Sequence, residues 1–214
     1  MQHYNYFRSG TSHRLRIALN LKGVAATYQP VDLRAEAHWL PAFTALNPQG
    51  LVPALVLDDG QVLTQSPAII EWLEERYPQP PLLPSDLQAR AHVRALAALV
   101  GCDIHPVNNR RILEYLRHSF GADESAIAQW CGQWISAGFD AYEALLLQHG
   151  MPGQLSWGDT PTLADVYLVP QVESARRFKV DVARWPRIAA IDAACAQLPA
   201  FAQASPWVQP DAPA

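Results

Sequence analysis

Only three cysteines occur in 214 residues, and Cys102, Cys131 and Cys195 are far apart with no Cys-x-x-Cys pair. Such a set supplies neither a disulfide framework nor the thiolates of a structural zinc site. The seven histidines are scattered, no two of them at i, i+4, so no metal is expected. No apolar run approaches the ~18 residues that a membrane-spanning helix needs. The opening Met1-Gln2-His3-Tyr4-Asn5-Tyr6 lacks the basic-then-apolar order of a secretory signal, which points to a cytoplasmic protein. Charged residues make up 17% of the chain and the formal net charge is −4, so there is no general attraction to nucleic acid or to an anionic membrane. No Gly-x-Gly-x-x-Gly follows any strand signal, which excludes a Rossmann-type nucleotide enzyme. What is plentiful is ordinary globular material: half of the residues are hydrophobic, enough for one large domain or two small ones.

The first eighty residues alternate strand and helix signals. A β-prone run ending at Phe7 leads into a helix from Thr11 to Lys22, with Leu15, Ala18, Leu19 and Val24 as its apolar stripe and Gly23 at the C-cap. Thr27 to Val31 reads as a second strand, and a polar, helix-like piece covers Glu36 to Leu46. Leu51 to Leu57 reads as a buried strand with Pro53 at its entrance, and Asp58-Asp59-Gly60 turns it into Gln61 to Thr64. Ser66 to Tyr77 is an amphipathic helix, with Ile69, Ile70, Leu73 and Tyr77 inward and Pro67 in its first turn. The order βαβαββα predicts a small mixed sheet covered by helices.

Pro78-Gln79-Pro80-Pro81-Leu82-Leu83-Pro84 marks a boundary. It separates an α/β domain at residues 1–80 from an all-α domain at residues 87–214, with a linker at 81–86. Beyond it, Asp86 to Phe120 reads as one long helix interrupted or kinked at Pro106. A second runs from Asp123 to Gln148 with Trp130, Trp134, Ala137, Ala141 and Leu145 on one stripe. A third, Leu163 to Arg177, opens on the capping box Thr162-Leu163-Ala164-Asp165. A shorter one spans Pro186 to Leu198, before a tail rich in proline and alanine.

The chemistry concentrates at Arg8-Ser9-Gly10-Thr11-Ser12, on the turn between the first strand and the first helix. A helix start carries unpaired N–H donors and partial positive charge, and so favours an anion. One hydroxyl would suffice as an N-cap; three in four positions beside an arginine go further.

These motifs are shared with a known family. Ser9-Gly10-Thr11-Ser12-His13-Arg14-Leu15-Arg16-Ile17-Ala18-Leu19 resembles the zeta-class glutathione S-transferase signature Ser-Ser-Cys-x-x-Arg-Val-Arg-Ile-Ala-Leu. Asn47-Pro48, Val52-Pro53 and Gln65-Ser66-x-Ala68-Ile69-Ile70-Glu71 are similar to that family's glutathione-binding core. Leu168-Val169-Pro170-Gln171 and Arg177-Phe178-Lys179-Val180-Asp181 extend the match, so the resemblance covers essentially the whole chain. Gly101 to Arg111, with His105, Asn109 and the pair Arg110-Arg111, looks most like the bacterial members that isomerise maleylpyruvate. Those acting on maleylacetoacetate usually carry Gln at the position of His105.

The resemblance implies a thioredoxin-like N-terminal domain followed by a helical substrate domain, and reduced glutathione as cofactor. It also implies a homodimer, and cis–trans isomerisation of a maleyl diketo acid. A carbon–carbon double bond does not rotate, so a thiolate must add to it, let the new single bond turn, and leave. Ser9 is the first candidate to stabilise the thiolate, with Thr11 and the helix N-terminus assisting. Thr11 stands where many zeta members have Cys, so chemistry dependent on that thiol should be absent. Arg8, Arg177 and Arg110 are the candidates for the substrate's carboxylates, with Asn109 beside them and Arg176 and Arg111 as lesser neighbours.

For glutathione itself the candidates are Ser9, Thr11, His38, Gln49, Val52, Pro53, Gln65, Ser66, Asp103 and His105, with Asp103 reaching across a dimer interface. A proline opening a buried strand suits a cis peptide that leaves Val52 free to pair with an extended peptide, or simply marks an edge strand. Ser66 is placed either to meet a carboxylate or only to cap its helix. Three alternatives stay open: maleylacetoacetate as substrate, a conjugating or dehalogenating transferase, and a non-catalytic adaptor.

Overall fold

The computed structural model describes residues 1–150 and 153–213. They form two compact units, Met1–Pro81 together with Leu198–Ala214, and Leu82–Gln197.

In the first unit β1 (Gln2–Asn5), β2 (Thr27–Pro30), β3 (Ala54–Val56) and β4 (Val62–Thr64) build a four-stranded sheet in the order β2-β1-β3-β4. β1 runs parallel to β2 and antiparallel to β3, and β3 pairs antiparallel with β4, so the sheet is mixed. Helix α1 (Gly10–Lys22) starts at Ser9, whose side chain accepts from the Ser12 N–H, and stops at Gly23. Gly23 has φ of 64°, a left-handed conformation that costs glycine little. The helix expected over Glu36 to Leu46 is two short pieces, a 3₁₀ turn at Ala37–Trp39 and α2 (Pro41–Thr44). Pro41 has no N–H to continue the turn before it, and so opens a new helix instead. Helix α3 (Ser66–Arg76) packs against α1. It buries Ile69, Ile70 and Leu73, and leaves Tyr77 half-buried at its end.

Every residue of α1 from Ser12 to Leu19 is buried. The reason lies at the far end of the chain. Helix α9 (Pro199–Ala202) also packs against α1, and Asn20 Nδ2 donates to the Ala200 carbonyl at 2.9 Å. The stretch Leu198–Ala214, expected in the helical domain, is therefore part of the first unit. (Helices α4 to α8 lie in the second.)

Among its described residues the second unit is all helical, apart from one isolated β-bridge between Leu155 and Gly158. The long helix expected from Asp86 to Phe120 is divided. Asp86 caps α4 (Leu87–Ala98), which runs into a π-helical turn at Leu99–Ile104 and a 3₁₀ turn at Pro106–Asn108. Asn109 then caps α5 (Arg110–Phe120) by accepting from the Arg111 N–H at 3.1 Å. Helix α6 (Glu124–His149) crosses the π turn at Gly138, where an added Cβ would meet Ile104 Cδ1 at 2.2 Å. Its buried face is Ile127, Cys131, Ile135, Phe139, Tyr142 and Leu146, one residue round from the expected stripe. Trp134 is 40% exposed, and Trp130 turns its indole N–H to the Val107 carbonyl at 2.9 Å.

Helix α7 (Leu163–Arg177) begins with the predicted capping box. Asp165 accepts from the N–H groups of Thr162 and Ser156, each at 2.8 Å. Helix α8 (Pro186–Ala196) is capped from α6, where the Glu143 carboxylate takes the N–H groups of Arg187 and Ile188.

Candidate active site

The predicted hydroxyl cluster is assembled by the start of α1. Ser9 has extended backbone angles, φ −71° and ψ 120°, and its Oγ caps Ser12 at 3.2 Å. The Thr11 hydroxyl donates to the Val52 carbonyl at 2.9 Å, across 41 residues of sequence. Ser9 Oγ and Thr11 Oγ1 are 2.9 Å apart. A hydroxyl has one proton and a carbonyl has none, so Thr11 accepts from Ser9. The chain therefore runs from Ser9 through Thr11 to Val52, and only the Ser9 proton can be redirected without breaking the tie to Val52. The Thr11 proton is committed to the Val52 carbonyl. Both residues are half-buried, so a ligand can reach them.

Val52 and Pro53 are buried and joined by a cis peptide bond. The turn before them is held by Asn47, buried itself, whose amide donates to the Leu51 carbonyl at 2.6 Å and accepts from the Gln49 N–H at 3.1 Å. Trp39 lies against the same turn. An added Cβ at Gly50 (φ 62°) would stand 2.5 Å from its ring. Asn47 belongs to the Asn47-Pro48 motif, whereas Trp39 was not singled out in the sequence; the close packing of Gly50 is a tertiary fact. His38 is buried with its ring 5.0 Å from that of Trp39.

Gln65 and Gln49, sixteen residues apart, are brought together. Gln65 Nε2 donates to Gln49 Oε1 at 2.6 Å, and both side chains are exposed. Gln65 holds φ of 68°, a region that costs a non-glycine residue on the order of 1–3 kcal/mol and is met most often where a ligand is held. Ser66 follows as the first residue of α3. It is 2% exposed, and its hydroxyl has no partner among the described residues. A buried hydroxyl left unpaired costs roughly 1–3 kcal/mol. At a helix N-terminus, where the N–H groups and the dipole both face outward, the fitting partner is an anionic oxygen.

Arg8 is exposed beside Ser9, with no ion-pair partner among the described residues. The other candidates belong to the second unit. Asp103 is exposed and His105 half-buried, in the stretch that follows α4. Asn109 uses its oxygen to cap α5, so only its amide N–H₂ remains for a ligand. Arg110 is half-buried and 3.7 Å from Glu114, and Arg111 is exposed. At the end of α7 the adjacent arginines differ. Arg176 is tied to Asp192 at 2.5 Å, whereas Arg177 lies over the Phe178 ring at 4.7 Å. Arg177 Nη2 also stands 3.5 Å from Ser174 Oγ.

Buried titratable groups elsewhere are structural. His3 is pushed down to about 3 by burial first and by Arg16 second, and His13 is lowered by the same causes. Cys131 is raised to about 11 by burial, and Cys195 is raised too, so neither thiol is activated. Among the described residues no three His, Cys, Asp or Glu side chains could hold a metal ion, and no helix is long and apolar enough to cross a membrane.

Residues 8–76 match the family described as glutathione S-transferase, N-terminal domain. The whole chain is similar to a maleylpyruvate isomerase of Ralstonia, 69% identical over 99% of each sequence. It is 52% identical to a maleylacetoacetate isomerase of Pseudomonas aeruginosa, over 100% of both. A solved holo structure of a maleylpyruvate isomerase, a bacterial glutathione S-transferase in the zeta class, superposes with a TM-score of 0.97 at 68% identity, covering 100% of each chain. With these similarities on top of its mixed sheet and helical second unit, the chain belongs to the zeta class of the glutathione S-transferases.

Proposed function

We propose that this protein is a glutathione-dependent isomerase that converts maleylpyruvate to fumarylpyruvate. The observation that carries the reading is the Ser9 hydroxyl, half-buried at the N-terminus of α1 and tied through Thr11 to Val52. It stands in a chain 69% identical throughout to a protein of that activity. Bound glutathione supplies a thiolate able to add reversibly to an electron-poor alkene, making the bond single long enough to turn. The donor set fits the tripeptide: the orphaned Ser66 hydroxyl and the α3 N-terminus for a carboxylate, Gln65 and Gln49 for polar backbone, and Val52-Pro53 for an extended strand. His38 and His105 would complete it, and Asp103, exposed, would reach the amine of glutathione held by the other subunit of a homodimer.

The rest follows from what this chain's own groups do. A free thiol titrates near 8.5, so a donor that favours the anion is needed at neutral pH. Ser9 can turn its proton from Thr11 to the sulfur, and the N–H groups of the first turn of α1 add partial positive charge. Arg8, Arg110 and Arg177 would bind the substrate's carboxylates and the oxygen on which charge gathers, and the Asn109 amide would donate beside them.

Ultraviolet absorbance of freshly generated maleylpyruvate, followed with and without glutathione, tests the reading. Conversion only with glutathione, and faster than for maleylacetoacetate, is the expected result. Faster turnover of maleylacetoacetate would support the second reading, which the 52% identical relative favours. No isomerisation of either acid, with glutathione bound, would leave a conjugating or dehalogenating transferase.

A further inference from the structure

Phe7 sits between the last residue of β1 and the catalytic turn, and its backbone belongs to no strand or helix. The β1–β2 ladder ends at the Asn5–Pro30 pair, and Val31 N–H closes it on the Asn5 carbonyl at 2.8 Å. Phe7 is nevertheless fully buried, so its N–H and its carbonyl each need a partner. Both partners are charged. The Phe7 N–H donates to Asp211 Oδ2 at 3.0 Å, and the Phe7 carbonyl accepts from Arg16 Nη2 at 2.9 Å. Ser9, two residues on, donates its own N–H to the Tyr6 carbonyl at 3.0 Å. The segment that presents Arg8 and Ser9 is thus held by three hydrogen bonds, two at Phe7 and one at Ser9.

Asp211 comes from the end of the chain, 204 residues away, and its other oxygen accepts the Tyr28 hydroxyl from β2. The tail that delivers it is itself held. Arg16 Nε donates to the Ala204 carbonyl and Arg16 Nη1 to Asn5 Oδ1, both at 2.9 Å. Gln209 Nε2 reaches the carbonyls of Gln203 and Ser205, the Trp207 ring meets that of Phe7 edge-on at 6.0 Å, and Ala212 packs on the cluster containing Tyr6 and Phe7. Arg16 therefore links strand, turn and tail, while Asp211 links tail, turn and neighbouring strand.

We propose that Asp211 is a positioning residue for the active site, whose carboxylate, clamping the Phe7 N–H against Arg16 on the Phe7 carbonyl, sets the height and direction of the Ser9 hydroxyl. The inference rests on the reading of Ser9 as the thiolate donor. It assigns to the tail a task that loop packing alone does not require. A plain hydrophobic strap would stabilise the unit without having to match two donors on two separate elements. A hydrogen bond to a carboxylate is roughly twice as strong as a neutral one, which suits a part that must not drift. A displacement of ~1 Å at a reacting group can cost up to about a hundredfold in rate.

The test reads the thiol pKa of bound glutathione, from thiolate absorbance against pH, beside isomerase kinetics. In Asp211→Ala the thiol pKa should rise by about half a unit to one unit and kcat should fall about three- to tenfold. The KM for the maleyl acid should stay unchanged. Asp211→Asn keeps an acceptor oxygen for the Phe7 N–H and can donate its N–H₂ to the Tyr28 oxygen, but it loses the charge, and should lie between Asp211→Ala and wild type. Tyr28→Phe removes the bond to the other oxygen, leaves the carboxylate on the Phe7 N–H, and should keep the wild-type thiol pKa. This pair carries the test if Asp211→Ala does not fold. A thiol pKa equal to wild type in Asp211→Ala and Asp211→Asn, whatever the loss in Tm, overturns the proposal and makes Asp211 merely structural. A wild-type thiol pKa no lower than that of free glutathione overturns the Ser9 reading first, and this inference with it.

Discussion

The Thr11 hydroxyl donates to the Val52 carbonyl at 2.9 Å, and this bond decides the direction of the next one, from Ser9 to Thr11. Under the proposed function, Thr11, which stands where many zeta members have Cys, would act through Ser9. It fixes where the Ser9 oxygen stands and gives its proton a resting partner, and the Val52 backbone is held by the same bond.

Ser9→Ala and Thr11→Val should therefore separate. Ser9→Ala removes the only redirectable proton and should lower kcat about a hundredfold while raising the thiol pKa of bound glutathione. It also deletes the cap of α1, at about 1 kcal/mol. Thr11→Val keeps the shape and leaves Ser9 its proton, so kcat should stay within about threefold to tenfold of wild type. Single-turnover rates and thiolate titration read both. Equal losses in the two variants would mean that Thr11 meets the sulfur itself.

The arginines give a second separation. Arg8→Ala and Arg177→Ala should each raise the KM for the dicarboxylate about ten- to a hundredfold, the worth of one charge-assisted hydrogen bond, with glutathione affinity intact. Arg176→Ala should leave KM alone, because Arg176 already holds Asp192. Arg176 is half-exposed but Asp192 is buried, so stranding that carboxylate should cost about 1–3 kcal/mol in urea unfolding. A rise in KM for Arg176→Ala with none for Arg177→Ala would reverse the assignment.

How much of this was legible depended on where each signal lies. Caps and turns are local, so Gly23, Thr162 with Asp165, and the turn at Asp58-Asp59-Gly60 stand where the sequence puts them, and of the three hydroxyls at the start of α1 the cap is Ser9. The buried face of α6 is set by what packs on it. Two tryptophans suggested a stripe, but the π turn closing on Gly138 turns Ile135 and Phe139 inward and leaves Trp134 out. The return of Ala204 to Asp211 to the sheet was hidden for a similar reason. A tail rich in proline and alanine has no periodicity, and its partners Arg16 and Phe7 lie almost the whole chain away. At the site, Ser9, Gln65 and Ser66 were visible as residue types at element starts, whereas the bonds from Thr11 to Val52 and from Gln65 to Gln49 exist only in the folded chain.

Asp165 should be essential to the helical unit. It is fully buried and raised by that burial, yet it accepts the N–H groups of Thr162 and Ser156 and the Thr162 hydroxyl. Asp165→Ala strands two buried backbone donors at roughly 1–3 kcal/mol each, so a loss of about 3–5 kcal/mol is expected. Urea unfolding followed by tryptophan fluorescence measures it. A loss below about 1 kcal/mol would show that water takes over the donors.

Acid should weaken the first unit through histidines that no substrate touches. His3 is buried in β1 and pushed down to about 3, and His13, buried in α1, is lowered as well. Unfolded, both bind a proton near 6.5, so below that pH the unfolded chain holds more protons than the folded one. The stability these neutral rings contribute is complete above pH 6.5, and is lost as pH falls from there toward about 3 for His3. Well inside that window each should cost about 1.4 kcal/mol per pH unit. From pH 6.5 to about 4 two such slopes remove at most about 7 kcal/mol, enough to unfold a protein only at the low end of the usual 5–15 kcal/mol. Urea midpoints between pH 7 and pH 4.5 give the slope directly, and His3→Gln should reduce it by about half whatever its own effect at pH 7. A stability flat across that range would mean that both rings take up their protons in the folded state.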